Sequence, residues 1–103
     1  MFFVTIAFMK TQLHSVVTGE VQGVMFRDFV QRKARSLGIV GTVKNQPNGS
    51  VEVIAVGEKE RLEELLKMMH KGPLLTRIRN RVDGISIEWG ESTQNFYDFK
   101  IIY

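Results

Sequence analysis

The stretch Lys10–Gly38, KTQLHSVVTGEVQGVMFRDFVQRKARSLG, changes period partway along. From Lys10 to Thr18 it carries β-branched side chains, contains neither Gly nor Pro, and reads as a strand. From Val24 the spacing turns helical. Phe26, Phe29, Val30, Ala34 and Leu37 fall on one face, while Asp28, Gln31, Arg32 and Arg35 lie mostly opposite. Gly38 suits the left-handed position that ends many helices, which predicts a helix over Val24 to Leu37. Between strand and helix lies Gly19-Glu20-Val21-Gln22-Gly23, a Pro-free run whose backbone N–H groups can surround an anion at a helix N-terminus. Arg27, in the first helical turn, can close over that anion with a planar five-donor guanidinium.

Working outward, Ile39–Gln46 and Ser50–Val56 read as paired strands around the turn signal Pro47-Asn48-Gly49. Val51, Val53 and Ala55 share one face. A second helix is predicted from Glu58 to Lys71, with the apolar stripe Leu62, Leu65, Leu66 and Met69. Its acidic start and basic end complement the helix dipole, and Gly72-Pro73 stops it. Val82–Trp89 and Phe96–Tyr103 alternate in strand fashion. The order β-α-β-β-α-β-β places two helices on one face of a mostly antiparallel sheet of four or five strands. This is an α/β (α+β) architecture, the ferredoxin-like βαββαβ plait.

At 103 residues the chain has room for one domain. It contains no cysteine, which excludes disulfides, thiolate nucleophiles and cysteine-held zinc. His14 and His70 stand far apart, outside any paired metal-ligand spacing. The net charge of +3 suits a small anionic ligand. Arg77, Arg79 and Arg81 form the tightest basic cluster, and their alternation reads as a solvated face. His14 reads as a structural histidine within a strand. Ser15 and Thr18 have no adjacent His or Asp pattern to activate a nucleophile. Asn45, near a strand end before a turn, is by itself a local hydrogen-bonding residue; beside the first strand it could hold a water.

Residues 1–9 are apolar apart from Thr5, but lack a basic n-region and a clear cleavage site. They read as an extension of unknown role ahead of a domain over 10–103. Translation from Met9 is one expectation for them; an added strand or a dimer contact is the other.

The loop Gly19-Glu20-Val21-Gln22-Gly23-Val24-Met25-Phe26-Arg27 resembles the first signature of the acylphosphatase family. Gly41-Thr42-Val43-Lys44-Asn45, with Gly49-Ser50-Val51 and Gly57, is similar to its second. The resemblance implies metal-independent hydrolysis of the carboxyl-phosphate bond of acyl phosphates, with no cofactor. Arg27 and the backbone amides of Glu20, Val21, Gln22, Gly23, Val24, Met25 and Phe26 would hold the phosphoryl oxygens, and Asn45 would position the attacking water. The expected partner is a small acyl phosphate rather than a metal, a membrane or nucleic acid. A cytoplasmic monomer is expected, with residues 1–9 leaving a dimer contact open. Three departures stand out: Thr42 occupies a position often aromatic in the family, Glu20 sets a carboxylate in a loop meant for an anion, and the apolar residues 1–8 have no counterpart in the resemblance. The alternative is a non-catalytic module on the same fold, binding a small anion such as carbamoyl phosphate, or binding RNA. The aromatic and basic consensus of RNA-binding plaits is absent from both central strands.

Overall fold

The computed structural model describes residues 10–22, 24–72, 81–92 and 94–103, the side chain of Val24 excepted. The 1–9 extension, Gly23, Pro73, Arg77 and Arg79 lie outside these residues. The elements run β1 (Lys10–Glu20), α1 (Val24–Ser36), β2 (Val40–Asn45), β3 (Val51–Gly57), α2 (Lys59–Lys71), β4 (Arg81–Ile85), β5 (Glu88–Ser92) and β6 (Phe99–Ile102). They form one sheet in the order β4-β1-β3-β2-β6, with β5 beside the first half of β1. All pairings are antiparallel except β2 with β6.

Period decides the layers. On β1, alternate residues Leu13, Ser15 and Val17 are buried, and Val51, Val53 and Ala55 do the same on β3. Both helices cover this face. Phe26, Val30 and Ala34 of α1, and Leu62, Leu65, Leu66 and Met69 of α2, meet these strands in a single core with Val21, Ile39, Val43 and Phe99. Every residue of the predicted α2 stripe is buried. Gln31, placed on the polar side of α1 by period, instead reaches the sheet and donates to the Phe99 carbonyl at 2.9 Å.

The predicted turn signals act where they stand. Gly38 has φ 70° and closes α1, the Ile39 N–H reaching back to the Ala34 carbonyl at 2.9 Å. The Gly49 N–H closes the Pro47-Asn48 turn onto the Gln46 carbonyl at 3.0 Å. At Gly41, which has φ 143°, a Cβ would meet the Ile54 carbonyl oxygen at 1.9 Å, so this glycine lets β2 approach β3.

Two strands differ from expectation. The single predicted strand Val82–Trp89 is divided into β4 and β5, giving six strands. At the break the Ser86 N–H donates to the Val16 carbonyl, but the Val16 N–H is taken by Ser86 Oγ, both at 2.9 Å. A side-chain hydroxyl has replaced a ladder carbonyl. Ile87 and Trp89, on the apolar side of the predicted alternation, are exposed, with Lys59 Nζ 5.2 Å from the Trp89 ring centroid. The last strand starts at Phe99 rather than Phe96. There Asp98 Oδ1 accepts from both the Phe99 N–H (2.7 Å) and Arg35 Nε (3.0 Å), an arrangement that belongs to a turn.

Candidate active site

Strand β1 extends to Glu20, two residues past its expected end. The extension needs a register shift between Thr18 and Gly19. Gly19 has φ 130°, and a Cβ there would stand 2.1 Å from the Arg81 carbonyl oxygen. Its glycine is therefore required by the pairing with β4. Glu20 pairs with Arg81 in the same ladder, and its carboxylate lies 3.1 Å from Arg81 Nη1. Arg81 also meets Asp83 Oδ1 at 2.8 Å through Nε. The Arg81 hydrogen bond, followed by its charge, holds the Asp83 carboxyl below its ordinary range once the opposing effect of burial is offset. The member of the basic cluster that is described thus spends its charge on neighbouring carboxylates.

Strand β1 ends at Glu20 and α1 begins at Val24. Val21 is buried in the core and Gln22 is exposed. Helix α1 has no acidic residue in its first turn. Arg27 sits there with only 7% of its surface exposed, and its guanidinium carbon lies 5.0 Å from the centroid of the Tyr103 ring. Asp28, the next carboxylate along, is engaged by Arg32 Nε at 2.9 Å.

The sheet brings Asn45 to the same end. Val17 pairs with Val51, and Val51 pairs with Asn45, so these three form one row across β1, β3 and β2. On the other side of β2, Lys44 pairs with Ile102 in parallel; Asn45 and Tyr103 are the next residues out along the two chains. Asn45 Oδ1 is buried without a hydrogen-bond partner, one of two such side-chain atoms among the described residues, the other being Ser15 Oγ. A buried acceptor of this kind costs free energy unless a water or ligand meets it.

The turn after Asn45 is tied back to the loop. Gln22 Nε2 lies 3.0 Å from the Ser50 carbonyl oxygen and 3.4 Å from that of Gln46. Arg27, Asn45 and the loop residues Glu20 to Gln22 thus lie toward one end of the sheet. Sequence reasoning counted Gln22 for its backbone only and omitted Tyr103. Neither could be found from local pattern, since their partners lie far along the chain. Among the described residues, no group of three His, Asp or Glu side chains is gathered as for a metal ion.

By architecture and site, the chain is an α/β plait with a candidate anion site at one end of its sheet. The family profile described as Acylphosphatase matches residues 13–101. An acylphosphatase from Dehalococcoides mccartyi is 42% identical over 90 residues, covering 86% of this chain and 94% of that one. One from Thermus thermophilus is 45% identical over 80 residues, covering 78% and 86%. The crystal structure of acylphosphatase from Bacillus subtilis superposes with a TM-score of 0.81 at 33% identity, over 90% of this chain and 99% of that one. This chain belongs to the acylphosphatase family.

Proposed function

We propose that the chain hydrolyses the carboxyl-phosphate bond of acyl phosphates at the end of the sheet that carries Arg27 and Asn45. The buried Arg27 in the acid-free first turn of α1 carries this reading. A guanidinium removed from water beside a helix N-terminus is complementary to a phosphoryl dianion, and each charge-assisted bond it makes contributes about 1.5–3 kcal/mol. The backbone amides of Glu20, Val21, Gln22, Gly23, Val24, Met25 and Phe26 supply the remaining donors.

The chemistry asks for positioning and charge stabilisation rather than a strong acid or base. Water oxygen attacks phosphorus in line, and the P–O bond to the acyl group breaks. The bonding pair leaves on a carboxylate whose conjugate acid has a pKa of about 4, so no proton donor is needed. Asn45 Oδ1, the acceptor without a protein partner, holds the water by one of its hydrogens. The proton released passes to a phosphoryl oxygen, giving dihydrogen phosphate and a carboxylate. The carboxylates flanking the loop do not compete for the base role, since Glu20 faces Arg81 and Asp28 faces Arg32. Because the cradle grips only the phosphoryl group, short and aromatic acyl phosphates should both be turned over.

The test is phosphate release from acetyl and benzoyl phosphate in EDTA, run beside Arg27→Ala. Hydrolysis that survives EDTA and is lost in the variant is the expected result. Equal rates for both proteins would overturn the assignment. The RNA-binding alternative lacks the aromatic and basic consensus of RNA-binding plaits on both central strands.

A further inference from the structure

We propose that Gln22 is a positioning residue for hydrolysis, its side-chain amide fastening the loop that receives the phosphoryl group to the turn that carries Asn45. The inference rests on the reading of Asn45 given above. Two backbone carbonyls, those of Gln46 and Ser50, face the Gln22 side chain. Two acceptors can be met only by the NH2 end of the amide, which fixes its orientation chemically. Both carbonyls belong to the mouth of one tight turn, where the Gln46 N–H donates to the Ser50 carbonyl at 2.8 Å.

That turn is braced internally as well. Ser50 Oγ stands 2.6 Å from Asn48 Oδ1 and 2.7 Å from Gln46 Oε1, and the Ser50 N–H donates to Asn48 Oδ1 at 3.1 Å. The turn is therefore held together by its own hydrogen bonds, and Asn45 is bonded directly to its first residue, Gln46. Its pairing with β3 anchors it from one side; Gln22 is a link from the loop side. Loop and turn lie on elements more than twenty residues apart, and Arg27 follows the loop into α1. The amide clasp thus sets the spacing between the atoms gripping phosphorus and the atom holding water. A displacement of about 1 Å between reacting groups is enough to lower a rate by up to a hundredfold.

The experiment is a double-mutant cycle on acetyl phosphate hydrolysis, using Gln22→Met, Asn45→Ala and the pair. Methionine keeps the length of the side chain and removes both donors. Gln22→Met should lower kcat by about tenfold while the inhibition constant for inorganic phosphate stays within about twofold. In the Asn45→Ala background the same substitution should change kcat by less than about twofold, because the group it positions is gone. Far-UV circular dichroism and urea midpoints confirm that each variant is compared in its folded state. Equal losses of kcat in both backgrounds would show that Gln22 does not act through Asn45, and would overturn the inference while leaving the hydrolytic reading intact. A parallel loss of phosphate affinity would likewise overturn it, placing the effect on the cradle. If Asn45→Ala itself leaves kcat unchanged, the assignment of Asn45 fails and the role of Gln22 fails with it.

Discussion

Helices α1 and α2 are each thirteen residues long, lie on the same face of the sheet, and carry an arginine near the start. Their N-termini nevertheless differ in kind. Helix α2 begins after Glu58 and has Glu60 in its first turn, so its own carboxylates answer its dipole. Its Arg61 is exposed, donating to the Leu37 carbonyl at 2.9 Å. Helix α1 has no carboxylate in its first turn and buries Arg27 there. One terminus carries its own acids, whereas the other has none in its first turn and holds a buried arginine there.

The largest effect should come from exchanging neither helix but only its arginine. Arg27→Ala is expected to lower kcat/KM for benzoyl phosphate by about a thousandfold or more, the scale seen for arginines that stabilise phosphoryl transfer. Arg61→Ala should stay within about twofold in the same assay, since an exposed arginine on a carbonyl contributes little. Comparable losses in both would erase the distinction between the termini.

The next test contrasts the two buried side-chain atoms that lack partners. Asn45→Ala should lower kcat by about a hundredfold, as when a single positioned polar group is removed from a site, with phosphate inhibition preserved. Ser15→Ala, in mid-sheet, should leave kcat unchanged and raise stability by up to about 1 kcal/mol in urea denaturation, because a buried hydroxyl without a partner is a cost. Loss of activity in Ser15→Ala would show that the end of the sheet is not special.

Giving α1 what α2 has makes a third test. Met25→Glu places a carboxylate in the first turn, where Met25 is 37% exposed. The inhibition constant of phosphate should rise by about tenfold through like-charge repulsion, while thermal stability is kept or slightly raised by the dipole. Unchanged phosphate affinity would detach the anion from the helix terminus.

The smallest effect lies away from both termini, on the uncovered face. His14 Nε2 meets Glu52 at 2.9 Å and Nδ1 meets Glu88 at 3.0 Å, a pattern that needs both ring nitrogens as donors. The hydrogen bond to Glu52 is the main cause raising the His14 pKa above its ordinary value, and Glu88 adds to it against the opposing effect of burial. A raised value in the folded state means the stabilisation is complete below pH about 6.5 and is lost as pH rises through the folded pKa. The melting temperature should therefore decline modestly across that window in the parent chain and stay flat in His14→Gln, with kcat unaffected in either.

Much of this was legible in the residues themselves. Strand and helix periods, the Gly38 stop, the Pro47-Asn48-Gly49 turn and the α2 stripe are local properties of the chain, and each stands where its chemistry put it. The misread elements share a cause. Val82–Trp89 alternates like one strand, yet Ser86 Oγ competes with its own backbone for the Val16 N–H. The expected strand Phe96–Tyr103 starts late for a similar reason, since the Asp98 side chain takes the Phe99 N–H and is held by Arg35. The loop boundary at Gly19 moved because its glycine answers to Arg81 on another strand, more than sixty residues away.

The sequence alone determined the layers, the helix termini and their contrasting charges, because period, capping and dipole act over a few residues. It also placed Arg27 in a turn without acids. Only the tertiary structure decided that Arg27 is buried with its guanidinium near the Tyr103 ring, that Glu20 turns to Arg81, and that Gln22 reaches the turn beyond Asn45. Those contacts depend on strand register, and register is set by the packing of a whole sheet face rather than by any segment within it.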